Sequence, residues 1–289
     1  MKPYVSVCTP TYNRRPFLSA MFECFKSQDY PLDRMEWVIV DDGSDCVRDV
    51  VEGSNIPQIK YVRLPHRVTL GRKRNVLHSH CKGDILVYMD DDDYYPPDRV
   101  SHAVDTLERN PTAMVAGSSI LHIYFKHLDK IVEFGPYGPQ HATAGTFAFR
   151  KELLRQTSYD DAATMGEEKT FLKDYTVPLV QLDPRKVILC FSHDHNTFDK
   201  RMLLQNPTRT IMKETEMKVS DFVADAGLAD FYVNQLSESL KYYEPGKKEF
   251  SVRVGSRVLT GNEILDHLNN QQVYIQKLEA RIRELSQKK

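Results

Sequence analysis

Ile85-Leu86-Val87-Tyr88-Met89-Asp90-Asp91-Asp92-Asp93 runs five apolar residues straight into four carboxylates. The apolar run is too short for a helix and has no polar alternation, so it reads as a strand covered on both faces. Similar runs precede it. Val5–Cys8 is followed by Thr9–Arg14, Trp37–Val40 by Asp41-Asp42-Gly43-Ser44, and Ile59–Val62 forms a third run. Between them lie segments of helical period. Phe17, Leu18, Met21, Phe22 and Phe25 mark one buried face that Tyr30-Pro31 closes, and a basic helix is expected around Arg72–His80. Strands alternating with helices predict a mainly parallel sheet. Ligands of such sheets bind beyond the carboxyl ends of the strands, where the polar clusters sit.

Later segments read less regularly. Met114–Phe149 carries strands and the turn Gly135-Pro136-Tyr137-Gly138-Pro139, a helix opens near Gly166-Glu167-Glu168, and Val187–Phe191 leads into Ser192-His193-Asp194-His195-Asn196. Leu228, Phe231, Val233, Leu236 and Leu240 predict a helix ending before Pro245-Gly246. Val252, Val254 and Val258 predict a hairpin about Gly255-Ser256. Thr260 and Glu263 form a capping box. Beyond it Leu268, Ile275 and Ile282 repeat at one heptad position, with Ile264, Leu278 and Leu285 at the other and Gln271 in the seam. The expected organisation is a catalytic domain over 1–215, a helix and hairpin over 216–259, and a coiled-coil helix over 260–289 that pairs two copies of the chain.

Composition narrows the function. The 289 residues are 41% hydrophobic and 27% charged with a formal net charge of −1, which gives no support to whole-molecule attraction to nucleic acid or anionic membrane. No charged-then-apolar leader and no apolar run of membrane-spanning length are seen. Cys8, Cys24, Cys46, Cys81 and Cys190 are scattered without a Cys-x-x-Cys pair, so a reducing, cytoplasmic setting is expected and a cysteine zinc site is not.

Four adjacent carboxylates repel one another unless a cation lies among them, and oxygen ligands suit Mg²⁺ or Mn²⁺ bridged to phosphates. An acidic run alone is more often a solvated loop; its place at a strand end favours metal. His193 and His195 close another strand, and an imidazole in that shell would favour Mn²⁺. Glu167 and Glu168 could compensate a helix dipole or serve as a general base, readings that spacing leaves even. Arg72-Lys73-Arg74 could bind a diphosphate or line a solvated helix face. Asp41 and Asp42 could meet a nucleotide or shape an Asp-Gly turn.

Taken in order, these motifs resemble the family 2 glycosyltransferases. Val5–Asn13 resembles the family's opening strand and Pro-Thr-Tyr-Asn turn, and Val40–Ser44 its second nucleotide-binding strand end. Gly71–Asn75, Lys82-Gly83-Asp84 and Met89–Asp93 match the run into the Asp-x-Asp metal motif. Gly166-Glu167-Glu168 resembles the acidic catalytic motif, with Glu168 where the family usually has Asp. The likeness covers roughly residues 3 to 200. It implies an α/β fold, a GT-A Rossmann-like domain with a mixed, mainly parallel sheet. It also implies metal-dependent transfer of a sugar, with inversion, from a nucleotide sugar, UDP being the commonest carrier, to an acceptor hydroxyl. Pro10, Thr11, Tyr12, Asn13, Asp42, Arg74, Asp90 and Asp91 would hold the donor. Asp92 and His193, with His195 as rival, would hold Mn²⁺ or Mg²⁺, and Glu168 or Glu167 would be the base. A sugar-nucleotide nucleotidyltransferase is the alternative enzyme, but Thr9–Arg14 has no glycine for its phosphate loop. A coiled-coil scaffold without catalysis is the other alternative, and the intact acidic set argues against it.

Overall fold

The structure is a computed structural model describing residues 2–164, 166–205, 211–245, 251–254 and 257–260, and beyond them 271–272, 274–276, 278–279 and 282. Its strands in chain order are β1 Val5–Thr11, β2 Met35–Asp41, β3 Ile59–Arg63, β4 Ile85–Tyr88, β5 Val115–Gly117, β6 Leu121–Phe125, β7 Lys130–Phe134, β8 Ala148–Arg150, β9 Leu179–Gln181, β10 Leu189–Ser192, β11 Met212–Glu214, β12 Ser251–Val254 and β13 Arg257–Thr260. The main helices are α1 Leu18–Lys26, α2 Arg48–Gly53, α3 Leu70–His80, α4 Arg99–Arg109 and the single turn α5 Glu168–Phe171.

A seven-stranded sheet runs β3-β2-β1-β4-β8-β5-β9. β1, β2, β3 and β4 are parallel, and β8 alone opposes its neighbours. Every residue of β1, β2 and β4 is buried, as near-continuous apolar runs between two helical layers require. Trp37 of β2 shows how the layer closes. Its ring stacks on Phe25 of α1 at 4.7 Å, its Nε1 donates to Thr9 Oγ1 at 2.8 Å, and Thr9 donates on to the Met89 carbonyl at 2.6 Å. Thr9, expected in a polar cluster past the strand, is therefore a buried tie inside it; β1 runs three residues further than its apolar stretch. Helix α1 in turn ends at Lys26, ahead of Tyr30-Pro31, because Ser27 closes it.

The chain reverses its winding between β1 and β4, and the crevice at that switch point is where such sheets bind ligands. A second sheet, β10-β6-β7-β11, is built from strands that follow β4 and interleave in sequence with β8 and β9. The Tyr94 and Leu189 backbones pair reciprocally at 3.0 Å, which pins β10 beside the turn that follows β4.

The expected break after residue 215 has no counterpart. Met1–Tyr243 forms one compact unit. Val219, Phe222, Val223, Tyr232, Leu236 and Leu240 are buried in the same core as β1 and β2. Residues 226–241 form one helical run, widened to a π turn over Phe231–Gln235. The second unit, Glu244–Lys289, contains the hairpin β12–β13, paired Val254 to Arg257 across the predicted turn. Of the heptad positions, Gln271, Ile275, Leu278 and Ile282 are helical, and Ile275, Leu278 and Ile282 are exposed. Ile264, Leu268, Leu285 and Glu263 of the capping box lie outside the described residues.

Candidate active site

The ends of β1, β4 and β10 and the start of α5 meet at the switch point and build two acidic clusters. The first is centred on Arg74 of α3. Its Nε donates to Glu167 Oε1 at 3.0 Å and its Nη1 faces Asp90 Oδ1 at 3.6 Å. The guanidinium lies 4.5 Å from the centre of the Tyr88 ring and 5.9 Å from that of Tyr159. Although burial works against the charge, Asp90 and Glu167 hold the Arg74 pKa well above its ordinary value. Burial pushes the Asp90 pKa up. Tyr88 is fixed by His78, one helical turn beyond Arg74, at 2.6 Å, and by Tyr159 at 3.2 Å. Burial drives the His78 pKa down to about 3, so this imidazole is neutral. Tyr159 stacks on Phe171 of α5 at 4.4 Å. Asn75 pins the same loop through the Tyr159 backbone and the Asp161 carboxylate. A Cβ at Gly71 would collide with the Asp160 carbonyl, so the Gly71–Asn75 motif is also a packing device. It carries α5, and with it Glu167 and Glu168, to the cleft.

The two glutamates thus separate. Glu167 is buried against Arg74. Glu168 is half-buried, has no ion pair to another side chain among the described residues, and burial raises its pKa.

The second cluster is centred on Asp92. One of its oxygens, Oδ2, faces Arg14 Nη2 at 3.4 Å, His193 Nε2 at 3.4 Å and Asn196 Nδ2 at 3.3 Å. Burial would raise the Asp92 pKa, but the hydrogen bond from His193 and the charges of Lys200 and Arg14 hold it far below the ordinary carboxylate range. Arg14 also pairs with Asp91 at 3.4 Å; there burial wins and pushes the Asp91 pKa up to about 7. The His193 pKa is lowered by burial, and its ring packs on Phe17 at 4.9 Å. His195 donates its backbone N–H to His193 Nδ1 at 3.2 Å, while its own ring lies 6.0 Å from that of Tyr243. Of the two histidines, His193 is the one facing Asp92.

The remaining predicted donor residues are placed unevenly. Pro10 and Thr11 are buried in β1. Tyr12 is half-buried with the Arg67 guanidinium 4.3 Å from its ring centre. Asn13, in the left-handed region with φ 55°, ties the ends of β1 and β2 together by accepting from the Asp45 N–H at 3.0 Å and donating to Ser44. Asp42 accepts the Val68 N–H at 2.8 Å and pairs with Lys73, which also donates to the Thr11 carbonyl. Asp41 is absorbed by the Gly43 N–H, Tyr61 and Arg63. Arg72 is exposed, unlike Lys73 and Arg74. Arg14, Lys200 and Arg99 were not foreseen. Arg99 is fully buried and ties three carbonyls, those of Tyr88, Thr146 and Phe147, beneath the cleft. Only Arg14 carried a sequence signal, its place directly behind the Pro-Thr-Tyr-Asn turn.

Among the described residues no group of three His, Cys, Asp or Glu side chains is disposed to hold a metal ion. The pair Asp92 and His193 is nonetheless suited to one. A carboxylate oxygen and an imidazole nitrogen 3.4 Å apart need only a small shift to share an ion bound at roughly 2.1 Å. Ions of this class commonly take one or two protein ligands and complete their shell with phosphate oxygens and water. Among the described residues no helix is long and apolar enough to cross a membrane.

Comparison with known proteins bears on the family and the fold. An uncharacterized glycosyltransferase of Haemophilus influenzae is 33% identical over 107 residues, 37% of this chain and 35% of that protein. The putative teichuronic acid biosynthesis glycosyltransferase TuaG of Bacillus subtilis is 28% identical over 135 residues, 45% of this chain and 53% of its own. These matches span between about a third and a half of the relatives' length. The fold is shared with the mannosyltransferase PcManGT of Pyrobaculum calidifontis, solved with GDP-Man and Mn²⁺, at a TM-score of 0.55 and 22% identity over 68% of this chain and 59% of that one. Staphylococcus aureus TarS 1–349, solved with UDP-GlcNAc, gives 0.53 and 22% over 68% and 60%. The model of glycosyl transferase family 2 matches residues 6–165, the stretch from β1 to the threshold of α5 that holds Arg14, Arg74 and the four aspartates, and the chain belongs to that family.

Proposed function

We propose that this protein transfers a sugar from a nucleotide sugar to an acceptor hydroxyl, with inversion, in the synthesis of a glycan or polysaccharide. The observation that carries this reading is the separation of the two clusters: a carboxylate–imidazole pair, Asp92 and His193, suited to a divalent ion, and a second carboxylate, Glu168, at the start of α5 and without an ion pair among the described residues. Glu168 takes the proton of the acceptor hydroxyl as its oxygen bonds to the anomeric carbon; the bond to the diphosphate breaks and its electron pair leaves with the nucleoside diphosphate. The raised pKa of Glu168 brings its basicity nearer neutral pH, where general bases act best. Asp92 and His193 would hold Mn²⁺ or Mg²⁺, and the ion when bound would supply charge neutralisation for the departing diphosphate. Arg14 stands ready beside them as a further cation. Tyr12 borders the nucleoside site; contact with Asp42 there competes with Lys73.

Two solved neighbours carry GDP-Man with Mn²⁺ and UDP-GlcNAc, and UDP-GlcNAc is the first donor to try. The five cysteines are free, in keeping with a cytoplasmic setting, and the segment over 260–289 pairs two copies of the chain. The test is a panel of UDP-, GDP- and dTDP-sugars with Mn²⁺, read as slow release of nucleoside diphosphate. Wild type releases it from one donor, EDTA abolishes the release, and Asp92→Asn stays folded but inactive. Equal turnover by Asp92→Asn at saturating Mn²⁺ removes Asp92 from the metal site. Pyrophosphate in place of nucleoside diphosphate would identify a nucleotidyltransferase instead.

A further inference from the structure

Asp93, last of the four aspartates, plays no part in the chemistry above, yet it is the most heavily tied. Its Oδ1 accepts the Phe191 N–H at 3.0 Å and pairs with Lys200 at 3.1 Å, and its Oδ2 accepts from Cys190 at 3.4 Å. Lys200 donates on to the Phe191 carbonyl at 3.0 Å. The Asp93 backbone is held as well. Its carbonyl accepts from the Tyr232 hydroxyl at 2.9 Å, and the Tyr232 ring stacks on Phe191 at 4.4 Å and 13°. All of these groups lie between the residue after Asp92 and β10, whose end carries His193.

We propose that Asp93, Lys200 and Tyr232 form a rivet that sets Asp92 opposite His193. They are positioning residues for the metal pair, and the rivet rests on the metal reading given above. Two strand ends from different sheets must agree to within a fraction of an ångström for two side chains to share one ion. A buried pair that locks β10 to the turn after β4 supplies that agreement. Tyr232 adds to it from residues 226–241, beyond the stretch 6–165 that the family model matches. The rivet accounts for the acidic run continuing one residue past Asp92 and for a helical segment far along the chain reaching back to it.

The test is Mn²⁺ binding, read by the electron paramagnetic resonance of free Mn²⁺ with UDP present, on the full chain. Tyr232→Phe keeps the ring and its stack on Phe191 and removes only the hydroxyl. Loss of a group that orients a metal ligand typically weakens metal affinity about 10- to 100-fold, and a rise of at least about tenfold in the Mn²⁺ dissociation constant is expected here. Asp93→Asn should do the same. Leu228→Ala, in the same helical run and packed on the core, is the control and should bind as wild type. An unchanged dissociation constant in Tyr232→Phe and Asp93→Asn overturns the rivet while the metal reading stands. So does an equal loss in Leu228→Ala, which would mean general loosening. A wild type that binds no Mn²⁺ overturns the metal reading and the rivet with it.

Discussion

The Arg74 cluster and the Asp92 cluster are built from the same residue types and share one cleft, but they are organised in opposite ways. Around Arg74 the cation is walled in and tightly paired on one side, its Nε with Glu167, while its Nη1 and Asp90 Oδ1 stand 3.6 Å apart without a hydrogen bond. The cation is 4% exposed, Glu167 meets it at 3.0 Å, and the Tyr88 and Tyr159 rings wall it in. Around Asp92 three donors converge on a single oxygen, none nearer than 3.3 Å. A closed, buried ion pair is destabilising to break and cannot readily change partners. A carboxylate held by several long contacts can exchange them for an ion. The first arrangement is a clamp that carries α5; the second is the one proposed above to accept an ion.

The sharpest test of that contrast sets the two neighbouring glutamates against each other. Glu168→Gln should lower kcat by about a hundredfold to ten-thousandfold, the usual cost of losing a general base, with the donor dissociation constant and the melting temperature nearly unchanged. In the wild type kcat should rise with pH through the Glu168 pKa, because only the ionised carboxylate accepts a proton. Since burial raises that pKa, the acid limb should lie above the ordinary carboxylate range, and Glu168→Gln should erase it. If Glu167→Gln loses the limb and Glu168→Gln keeps it, the roles are exchanged.

Glu167→Ala should instead appear as lost stability. Removing one partner of a buried pair costs about 3–5 kcal/mol, and Asp90, still beside Arg74 at 3.6 Å, should keep the loss toward the lower figure. Urea unfolding measures it. A variant as stable as wild type would show that the Arg74 cluster is not a clamp.

At the other cluster, His193→Ala should raise the Mn²⁺ concentration for half-maximal activity while leaving turnover at saturation closer to wild type than Asp92→Asn does. A shift seen with His195→Ala and not with His193→Ala would move the ligand to the second histidine.

The smallest effect on chemistry is expected from the distant end of the chain. Ending the chain after Pro245 should turn a dimer into a monomer by light scattering and leave kcat nearly unchanged, since the groups of both clusters lie within Met1–Tyr243. A full-length monomer, or a truncated dimer, removes residues 260–289 from the contact.

How far the molecule could be read from its sequence follows the range of the interactions. Val5–Cys8, Trp37–Val40, Ile59–Val62 and Ile85–Met89 were legible because a doubly covered parallel strand must be apolar throughout, and their order with the intervening helices fixed the sheet class. Asp90–Asp93 were legible as a group at the end of β4, because an unbroken apolar run leads straight into them. The reach of β1 to Thr11 was hidden: Thr9 looks polar in sequence and is satisfied only by Trp37 and Met89, from two other strands. The boundary expected at 215 failed because a helical apolar stripe, as in Leu228, Leu236 and Leu240, declares that a face is buried but not against what.

The sequence by itself determined the class of fold, the family and the set of acidic groups, all consequences of local pattern and residue chemistry. Tertiary structure alone decided which carboxylate meets which partner. Glu167 and Glu168 are adjacent and chemically identical, and only the approach of Arg74, 93 residues away, closes one and leaves the other open. The four aspartates likewise look alike until Arg74, Arg14, His193 and Lys200 arrive from elsewhere in the chain and give each a different charge environment. A carboxylate's role depends on its field and its exposure, which distant segments set when the chain folds.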